Sequence, residues 1–387
     1  MGLVKVGVIG IGNMGSSHVQ LLDNGQVEGA VLTAVCSRNE SRIEWIKNHT
    51  TGDIQIFQDV ETFLNESGID AVLIATPHYS HPRLAIMAFE KGIHVLIEKP
   101  AGVYAKNVLE MNDAARASGK VFSIMYNQRA NPLYQKLREL IHSGELGEIK
   151  RTNWIVTDTY RPQSYYNSSK WRAMWEGEGG GVLINQALHQ LDIWQWTTGC
   201  MPKSVRAVTS VGKYHDIGVE DDVTAYVEYE NGATGVFIAS TGEAPGTNRF
   251  EIVGEHGKVV IENETLTFYQ LAQSEREFNA TFTGGFGEPE FRKIDIPVKS
   301  DNAGHIRIIQ NWVDSIVKGS LLLAPGEEGI KALEISNAIY LSSWLDKSVE
   351  LPVNPDLYYD KLLEKIAIST FKKQQVTNTT LDVTGTH

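Results

Sequence analysis

The stretch that decides the fold is residues 4–15, which read VKVGVIGIGNMG. Its first half is rich in β-branched residues, which is typical of a buried strand. Gly10, Gly12 and Gly15 come next, and the amphipathic segment 16–24 follows them. The order of strand, glycine turn and helix predicts the first unit of a parallel α/β sheet. A secretory leader is a poorer interpretation, because the apolar run lacks a charged leader segment and enters a glycine turn.

Each glycine of this turn has a steric purpose. The first permits a tight turn, the second lets the backbone approach a pyrophosphate, and the third lets the helix pack closely on the strand. The helix N-terminus adds unpaired N–H groups and the positive end of a dipole. The turn, with Asn13 and Met14 inside it, therefore predicts a dinucleotide cofactor. A purely structural turn is the alternative.

The rest of the first 125 residues repeats the alternation of strand and helix. Further strands are expected at 32–36, 71–75, 94–97 and 121–125. Helices are expected at 40–49, 60–66, 82–91 and 105–118. Short β-branched strands that alternate with amphipathic helices predict a doubly wound parallel sheet, so we expect a Rossmann domain over residues 1–125.

From residue 126 the pattern changes. Strand-like runs at 149–160 and between 205 and 271, separated by turns such as Asn231-Gly232, predict antiparallel hairpins. Two helices, 302–318 and 327–346, are expected to close the unit. We therefore expect an α+β domain over 126–373 with a large, open, mostly antiparallel sheet. A polar tail is expected over 374–387.

Composition limits the class of protein. The 387 residues favour two domains over one. The net charge of −12, from 35 basic and 47 acidic residues, disfavours a nucleic-acid or anionic-membrane partner. No apolar run reaches the ~18 residues of a membrane span. The two cysteines suggest no disulfide framework, and a reducing cytoplasm is the simplest compartment.

The choice between NAD and NADP depends on the end of the second strand. An acidic residue there would bind the ribose 2′-hydroxyl of NAD. The chain instead has Ser37 and Arg38, with Arg42 one turn further on. A hydroxyl and two guanidinium groups suit a 2′-phosphate, which favours NADP slightly. The alternative is that both arginines are a solvated helix face and that NAD binds without the carboxylate.

A second polar group follows another buried-type strand. Residues 92–100 read GIHVLIEKP. In parallel sheets, functional groups collect beyond the C-terminal ends of strands. Lys99 is therefore a candidate to donate a hydrogen bond to a substrate oxygen and to stabilise it as an alkoxide. By itself, a lysine at a strand end is more often a surface charge.

Four motifs together resemble a known family. They are Gly10–Gly15, Ala75-Thr76-Pro77 with His81, Gly92–Pro100, and Gly179-Gly180-Gly181 followed by His189. With the order of the two domains, they resemble the glucose–fructose oxidoreductase/inositol dehydrogenase family, Gfo/Idh/MocA, over nearly the whole chain to about residue 350. The resemblance implies that Lys99 is catalytic and that Thr76, Pro77, Glu98 and Pro100 line the cofactor cleft. The full cofactor-binding set expected is Gly10, Gly12, Asn13, Met14, Gly15, Ser37, Arg38, Arg42, Thr76, Pro77, His81, Glu98, Lys99, Pro100 and Asn127.

A helix expected over 181–196 would carry the proton-transfer group. Asn185, His189 and Asp192 are spaced i, i+4, i+7 and would share one helical face. Histidine titrates near neutrality, and the resemblance implies that His189 is the general base or acid. Many relatives carry Asp where this chain has Asn185, an amide that orients a hydroxyl without acting as a base. We therefore expect His189 and Lys99 to share the proton chemistry, with Asp192 structural or orienting the histidine.

Aromatic and polar residues in the second domain suit a polyhydroxylated ring, whose C–H faces stack and whose hydroxyls form hydrogen bonds. The substrate-binding set expected is Lys99, Tyr126, Tyr160, Trp171, Arg172, Asn185 and His189. The resemblance is strongest to dehydrogenases that oxidise a ring hydroxyl of glucosides or anhydrosugars. It also implies, together with the open sheet, a homodimer or homotetramer.

No metal is expected. The acidic run 220–222 is interpreted as a solvated strand start, and His78 and His81 as members of a loop over the cofactor. Two other functions stay open: a glycosidase that uses NAD for a transient oxidation and elimination, and a sugar-sensing regulator without chemistry. Retention of Lys99 and His189 weighs against the sensor. The sequence does not name the sugar, the carbon oxidised or the physiological direction.

Overall fold

The structure is a computed structural model that describes residues 2–299, 301–373, 376 and 377. The expected polar tail at 374–387 lies outside the described residues, except for 376 and 377. Two sheets form the scaffold, and every strand of the first precedes every strand of the second in the chain.

The first sheet has six strands among the described residues, in the order β3-β2-β1-β4-β5-β6. All its neighbouring pairs are parallel. The strands are β1 (Val4–Ile9), β2 (Ala30–Cys36), β3 (Gln55–Phe57), β4 (Ala71–Ile74), β5 (His94–Ile97) and β6 (Phe122–Ile124). The helices between them are α1 (Asn13–Asp23), α2 (Glu40–His49), α3 (Val60–Glu66), α4 (His81–Glu90) and α5 (Ala105–Ser118). The predicted doubly wound sheet is confirmed. The short β3, whose residues are only partly buried, was not expected.

The second sheet has nine described strands, in the order β14-β13-β12-β11-β7-β10-β9-β8-β15. Its pairs are antiparallel except for β10 with β7. The strands are β7 (Ile149–Val156), β8 (Ser204–Val211), β9 (Glu220–Glu228), β10 (Thr234–Ser240), β11 (Asn248–Gly254), β12 (Gly257–Glu262), β13 (Thr265–Leu271), β14 (Phe291–Ile296) and β15 (Val349–Glu350). The predicted large, mostly antiparallel sheet is confirmed. The edge strands β14 and β15 were missed.

Seven further helices accompany this sheet in the described chain. They are α6 (Pro132–His142), α7 (Gln163–Asn167), α8 (Leu188–Thr198), α9 (Glu275–Thr281), α10 (Gly304–Lys318), α11 (Gly329–Leu345) and α12 (Pro355–Ile368). Helix α11 packs on β8 and on α8 and covers one face of the sheet. The opposite face stays open and exposes Val208 and Tyr226. Helices α10 and α12 pack back on the first domain, against β5 and α5.

The helix expected over 181–196 is wrong in its first part. The regular helix α8 begins at Leu188, and residues 182–187 form turns instead. The backbone N–H groups of Gly181 and Leu183 are bound by the Glu220 carboxylate, and the Ala187 N–H reaches back five residues to the Val182 carbonyl. Asn185 therefore sits in an irregular turn just before the helix that carries His189.

Candidate active site

The glycine turn has the shape of a phosphate cradle. Gly10 has a φ of +90°, and a Cβ there would lie 2.7 Å from the Ala75 carbonyl oxygen. A Cβ on Gly15 would lie 1.9 Å from the Gly10 carbonyl oxygen, so the turn and α1 are in direct backbone contact. Gly12, in contrast, has no atom within 4 Å of its absent Cβ and caps α1 without a side-chain bond. The open Gly12 face and the uncapped helix end fit a pyrophosphate.

The end of β2 lies beside this cradle, because the Gly10 N–H donates to the Cys36 carbonyl at 3.0 Å. Ser37 and Arg38 follow directly, and Arg38 is exposed. Arg42 lies half-buried in the first turn of α2. Neither arginine forms an ion pair with a carboxylate of the described chain. Both guanidinium groups thus lie near the cradle without an anionic partner among the described residues.

A buried ion pair connects α1 to the strand that carries Lys99. His18 Nε2 lies 2.6 Å from Glu98 Oε1, and both side chains are buried. Burial raises the pKa of Glu98, but the hydrogen bond and charge of His18 outweigh it and lower the pKa to about 2. The second oxygen of Glu98 accepts from the Lys99 backbone N–H at 3.2 Å. Glu98 therefore holds the lysine backbone and the cofactor-binding helix together. Sequence reasoning missed His18.

Lys99 follows β5 and turns its ammonium toward Asn185. Lys99 Nζ donates to the Asn185 backbone carbonyl at 2.9 Å and to its Oδ1 at 3.3 Å. Burial lowers the pKa of Lys99 to about 8, against the opposing effect of Glu98. An ammonium has three N–H donors, so these two bonds leave one for a substrate oxygen. The structure thus brings two of the predicted catalytic residues together.

The carboxylate that Asn185 lacks is present on a neighbouring residue. Asn185 Nδ2 donates a short hydrogen bond to Glu178, whose side chain is buried. Glu178 also accepts from the Ala173 N–H at 2.7 Å and from Arg172 Nη1 at 3.4 Å. Sequence reasoning missed Glu178. The one available signal was its position immediately before the three glycines 179–181.

Tyr165 joins the same cluster. Its hydroxyl oxygen accepts from Arg172 Nη1 at 2.6 Å, Gln186 Nε2 at 3.0 Å and Asn185 Nδ2 at 3.2 Å. The Arg172 guanidinium lies 4.4 Å from the centre of the Tyr165 ring and 4.5 Å from that of Trp171. Trp171 and Arg172, both predicted to bind substrate, therefore belong to the Asn185 cluster.

The Trp171 ring is also held by His78. The two rings meet edge to face at 5.1 Å, and His78 Nδ1 lies 2.8 Å from the Glu178 carbonyl oxygen. Tyr160, the other aromatic residue expected here, is 48% exposed. The described contact of Tyr160 is made by its carbonyl, which accepts from Arg161. Nothing in these contacts connects Tyr160 to Lys99.

His189 lies on the first turn of α8 and is buried. Its ring meets Tyr126 at 6.3 Å, nearly perpendicular. Tyr126 is fully buried, and its hydroxyl donates to the Gly329 carbonyl at 3.4 Å. Tyr126 thus supports the histidine rather than lining an open surface, although it was expected to bind substrate.

Asp192 is structural, as one of the two interpretations held. Both its oxygens accept from Arg129, at 2.6 and 2.7 Å, and the two side chains are 1% and 0% exposed. Arg129 also pairs with Glu328. This buried network joins α8 to the segment after β6 and fixes the helix that carries His189.

Several residues expected at the cofactor shape the cleft from behind. The two ring nitrogens of the fully buried His81 lie 2.7 Å from the carbonyl oxygens of Thr76 and Pro100. His81 therefore holds together the loops after β4 and β5, which carry Thr76-Pro77 and Lys99-Pro100. Asn127 is buried, and its Oδ1 has no hydrogen-bond partner within the described residues.

The acidic run 220–222 is not solvated, so that interpretation is wrong. Glu220 and Asp221 are fully buried. Glu220 accepts from Gly181 and Leu183 N–H groups and from the Tyr340 hydroxyl, while Asp221 accepts from the loop 213–215. Burial raises the pKa of Glu220 to about 7. The described residues contain no group of three or more His, Cys, Asp or Glu arranged to hold a metal.

The C-terminal segment fastens the loop that carries Trp171 and Arg172. Lys373 Nζ donates to the Tyr166 carbonyl, to the Ser169 carbonyl at 2.6 Å and to the Arg172 carbonyl at 3.3 Å. The N–H of Thr377 donates to the Asn167 carbonyl at 2.9 Å. Residues next to the expected tail thus contact the candidate substrate region.

Two family models match the chain. Residues 4–126 match the oxidoreductase family with an NAD-binding Rossmann fold, and residues 134–260 match the GFO/IDH/MocA C-terminal domain. The chain belongs to the Gfo/Idh/MocA family. It is an oxidoreductase with an NAD(P)-binding N-terminal domain, and the predicted membership is confirmed. No described helix is long and apolar enough to span a membrane.

Curated relatives align over most of this chain at low identity. The myo-inositol 2-dehydrogenase of Thermotoga maritima is 24% identical over 90% of this chain and 98% of that protein. The levoglucosan dehydrogenase of Pseudarthrobacter phenanthrenivorans is 26% identical over 76% of this chain and 83% of that protein.

Solved structures with the same fold include two with bound small molecules. The WlbA dehydrogenase of Bordetella pertussis, in complex with NADH and UDP-GlcNAcA, has a TM-score of 0.77 at 24% identity. It covers 91% of this chain and 100% of that one. The aldose–aldose oxidoreductase of Caulobacter crescentus, complexed with glycerol, has a TM-score of 0.71 at 20% identity over 90% and 100% of the two chains. These likenesses show the fold.

Proposed function

We propose that the protein is a dehydrogenase that acts on a secondary ring hydroxyl of a cyclic sugar, glucoside, anhydrosugar or inositol. The observation that carries the proposal is the Lys99 ammonium, half-buried and bonded to Asn185 just before the helix of His189. NAD or NADP, when bound, would exchange a hydride with the carbon that carries the hydroxyl. The names of the inositol and levoglucosan dehydrogenases among the relatives support this class of substrate.

The proton chemistry falls to side chains of this chain. His189 takes the hydroxyl proton in the oxidative direction and returns it in the reductive one. The third N–H of Lys99 donates to the same oxygen and stabilises the negative charge that develops there. Asn185, whose amide is fixed by Lys99 and Glu178, orients the hydroxyl by hydrogen bonding.

The cofactor would be held first by the glycine turn, with its phosphates at the open Gly12 face and the N-terminus of α1. Asn127 Oδ1, buried without a described partner, is available to a polar group of the cofactor. At the end of β2, Ser37, Arg38 and Arg42 favour NADP over NAD, because two guanidinium groups match a 2′-phosphate.

We also propose a cytoplasmic homodimer or homotetramer. The large sheet covers one face with α8 and α11 and leaves the other face open. Exposed apolar side chains on that face, such as Val208 at 64% exposure, suit contact with a second copy.

A substrate screen tests the proposal. Reduction of NAD and of NADP would be followed with inositols, aldoses, glucosides and anhydrosugars. Net formation of reduced cofactor with at least one of these compounds is expected. Release of free sugar from a glucoside without net reduced cofactor would indicate the glycosidase instead. Inactivity across the panel, with ligand-dependent partner binding, would indicate the sensor.

A further inference from the structure

The Lys99–Asn185 pair ends at a buried carboxylate. Glu178 is 1% exposed, and its oxygens accept from the Arg172 guanidinium, the Ala173 N–H and the Asn185 amide. All three partners are donors, and an ionised carboxylate is acceptor-only, so the geometry fits the charged form of Glu178. Burial raises the pKa of Glu178, and Arg172, the Ala173 N–H and the Asn185 amide oppose that effect.

The carboxylate also fixes which way the Asn185 amide points. Its Nδ2 faces Glu178 and its Oδ1 faces Lys99 Nζ. The reversed amide would direct N–H donors at the ammonium and leave the carboxylate facing the carbonyl oxygen, so the charges on both sides select one orientation. Asn185 is therefore a polarised link between a cation and an anion.

The other carboxylate near Lys99 has a different partner. Glu98 is paired with His18 and accepts from the Lys99 backbone N–H rather than from its ammonium. Arg172 and Arg161 oppose the charge of Lys99, whereas Glu98 and Glu178 favour it. The titratable and charged groups around Lys99 are His78, His81, Glu98, Arg161, Arg172 and Glu178.

We propose that Glu178 is a positioning residue of the active site: it supplies, through Asn185, the negative charge that would otherwise come from an aspartate at position 185. Glu178 sets the Asn185 amide so that its oxygen binds Lys99, and it favours the charged ammonium. The proton-handling unit is thus Lys99, Asn185 and Glu178, with His189 beside it. This inference rests on the proposed function for its catalytic meaning but not for its electrostatic one.

The experiment compares Glu178→Gln with Glu176→Gln. Both remove one negative charge, but Glu176 is exposed and makes none of these contacts. Lys99 would be acylated with limiting acetic anhydride from pH 6 to 10 in protein without cofactor, and labelling of its peptide read by mass spectrometry. Wild-type labelling is expected to have its midpoint near pH 8. Glu178→Gln should lower that midpoint by about one pH unit, and Glu176→Gln should leave it unchanged.

A midpoint in Glu178→Gln equal to that in Glu176→Gln would overturn the inference, whether or not the enzyme is active. If the midpoint shifts but no sugar is oxidised, the electrostatic role of Glu178 stands and the proposed function fails. With a substrate in hand, the pH profile of kcat should move in the same direction as the labelling midpoint, whereas a merely structural loss would lower kcat without moving the profile.

A second variant covers the case in which Glu178→Gln does not fold. Glu178→Gln combined with Asn185→Asp returns one carboxylate to the cluster, next to Lys99. We expect its labelling midpoint to lie at or above the wild-type value. A midpoint well below wild type in this folded double variant would contradict the idea that Glu178 acts through its charge.

Discussion

Replacing Lys99 by methionine tests the centre of the proposed chemistry. Methionine keeps an unbranched side chain of similar length and removes the ammonium, with its bonds to the carbonyl and Oδ1 of Asn185. Removing one donor aimed at a developing oxyanion costs about 2.7–4 kcal/mol, so kcat should fall by about 10²–10³-fold. The limb of the wild-type pH profile near pH 8, where Lys99 titrates, should disappear.

The same substitution should leave cofactor binding nearly intact. The phosphate cradle is formed by backbone at Gly12 and the start of α1, and its link to the lysine strand runs through Glu98 and His18. We therefore expect the Kd for reduced cofactor to change by less than about threefold.

Cofactor fluorescence titration and steady-state kinetics on the best substrate provide the measurement, with Lys91→Met, at an exposed lysine, as the matched control. Turnover within tenfold of wild type would refute the role of Lys99. Parallel loss of cofactor affinity and turnover would instead mean that the cleft itself had collapsed.

Three further outcomes follow from the geometry. Asp192→Asn leaves a buried guanidinium partly unpaired and should lower the free energy of unfolding by about 3–5 kcal/mol, whereas Asp346→Asn, in an exposed pair, should cost less than about 1 kcal/mol; urea unfolding measures both. The raised pKa of Glu220, about 7, makes its contribution to stability greatest below about pH 4.5, and that contribution is lost as the pH rises to 7. Relative to Glu220→Gln, wild type should therefore lose up to about 3 kcal/mol of stability over that interval, and a pH-independent difference would contradict the assignment. Ser37→Asp places a carboxylate at the ribose and should raise the Kd for NADP at least about tenfold while strengthening NAD binding; unchanged preference in titrations would remove Ser37 from the cofactor site.

Local patterns in the sequence were sufficient for most of the scaffold. The strand Val4–Ile9 and the helices Glu40–His49 and Ala105–Ser118 lie where hydrophobic periodicity predicts them, because each buries one face on the same neighbour throughout its length. The edge strand Phe291–Ile296 was missed because its side chains are mostly exposed and carry no clear alternation. The turn at 182–187 was mistaken for helix because the Glu220 carboxylate binds its first N–H groups.

The sequence by itself determined the glycine cradle, the order of the two sheets and, by resemblance, Lys99 and His189 as candidates for catalysis. Those features depend on residues close together in the chain or on motifs with fixed spacing. Only the tertiary structure decided that His18 pairs with Glu98, 80 residues away, and that Glu178 stands behind Asn185 as the buried carboxylate of the cluster. Such pairings form where separate elements converge, and the free energy of a buried charge depends on the partners that this convergence provides, which no local pattern records.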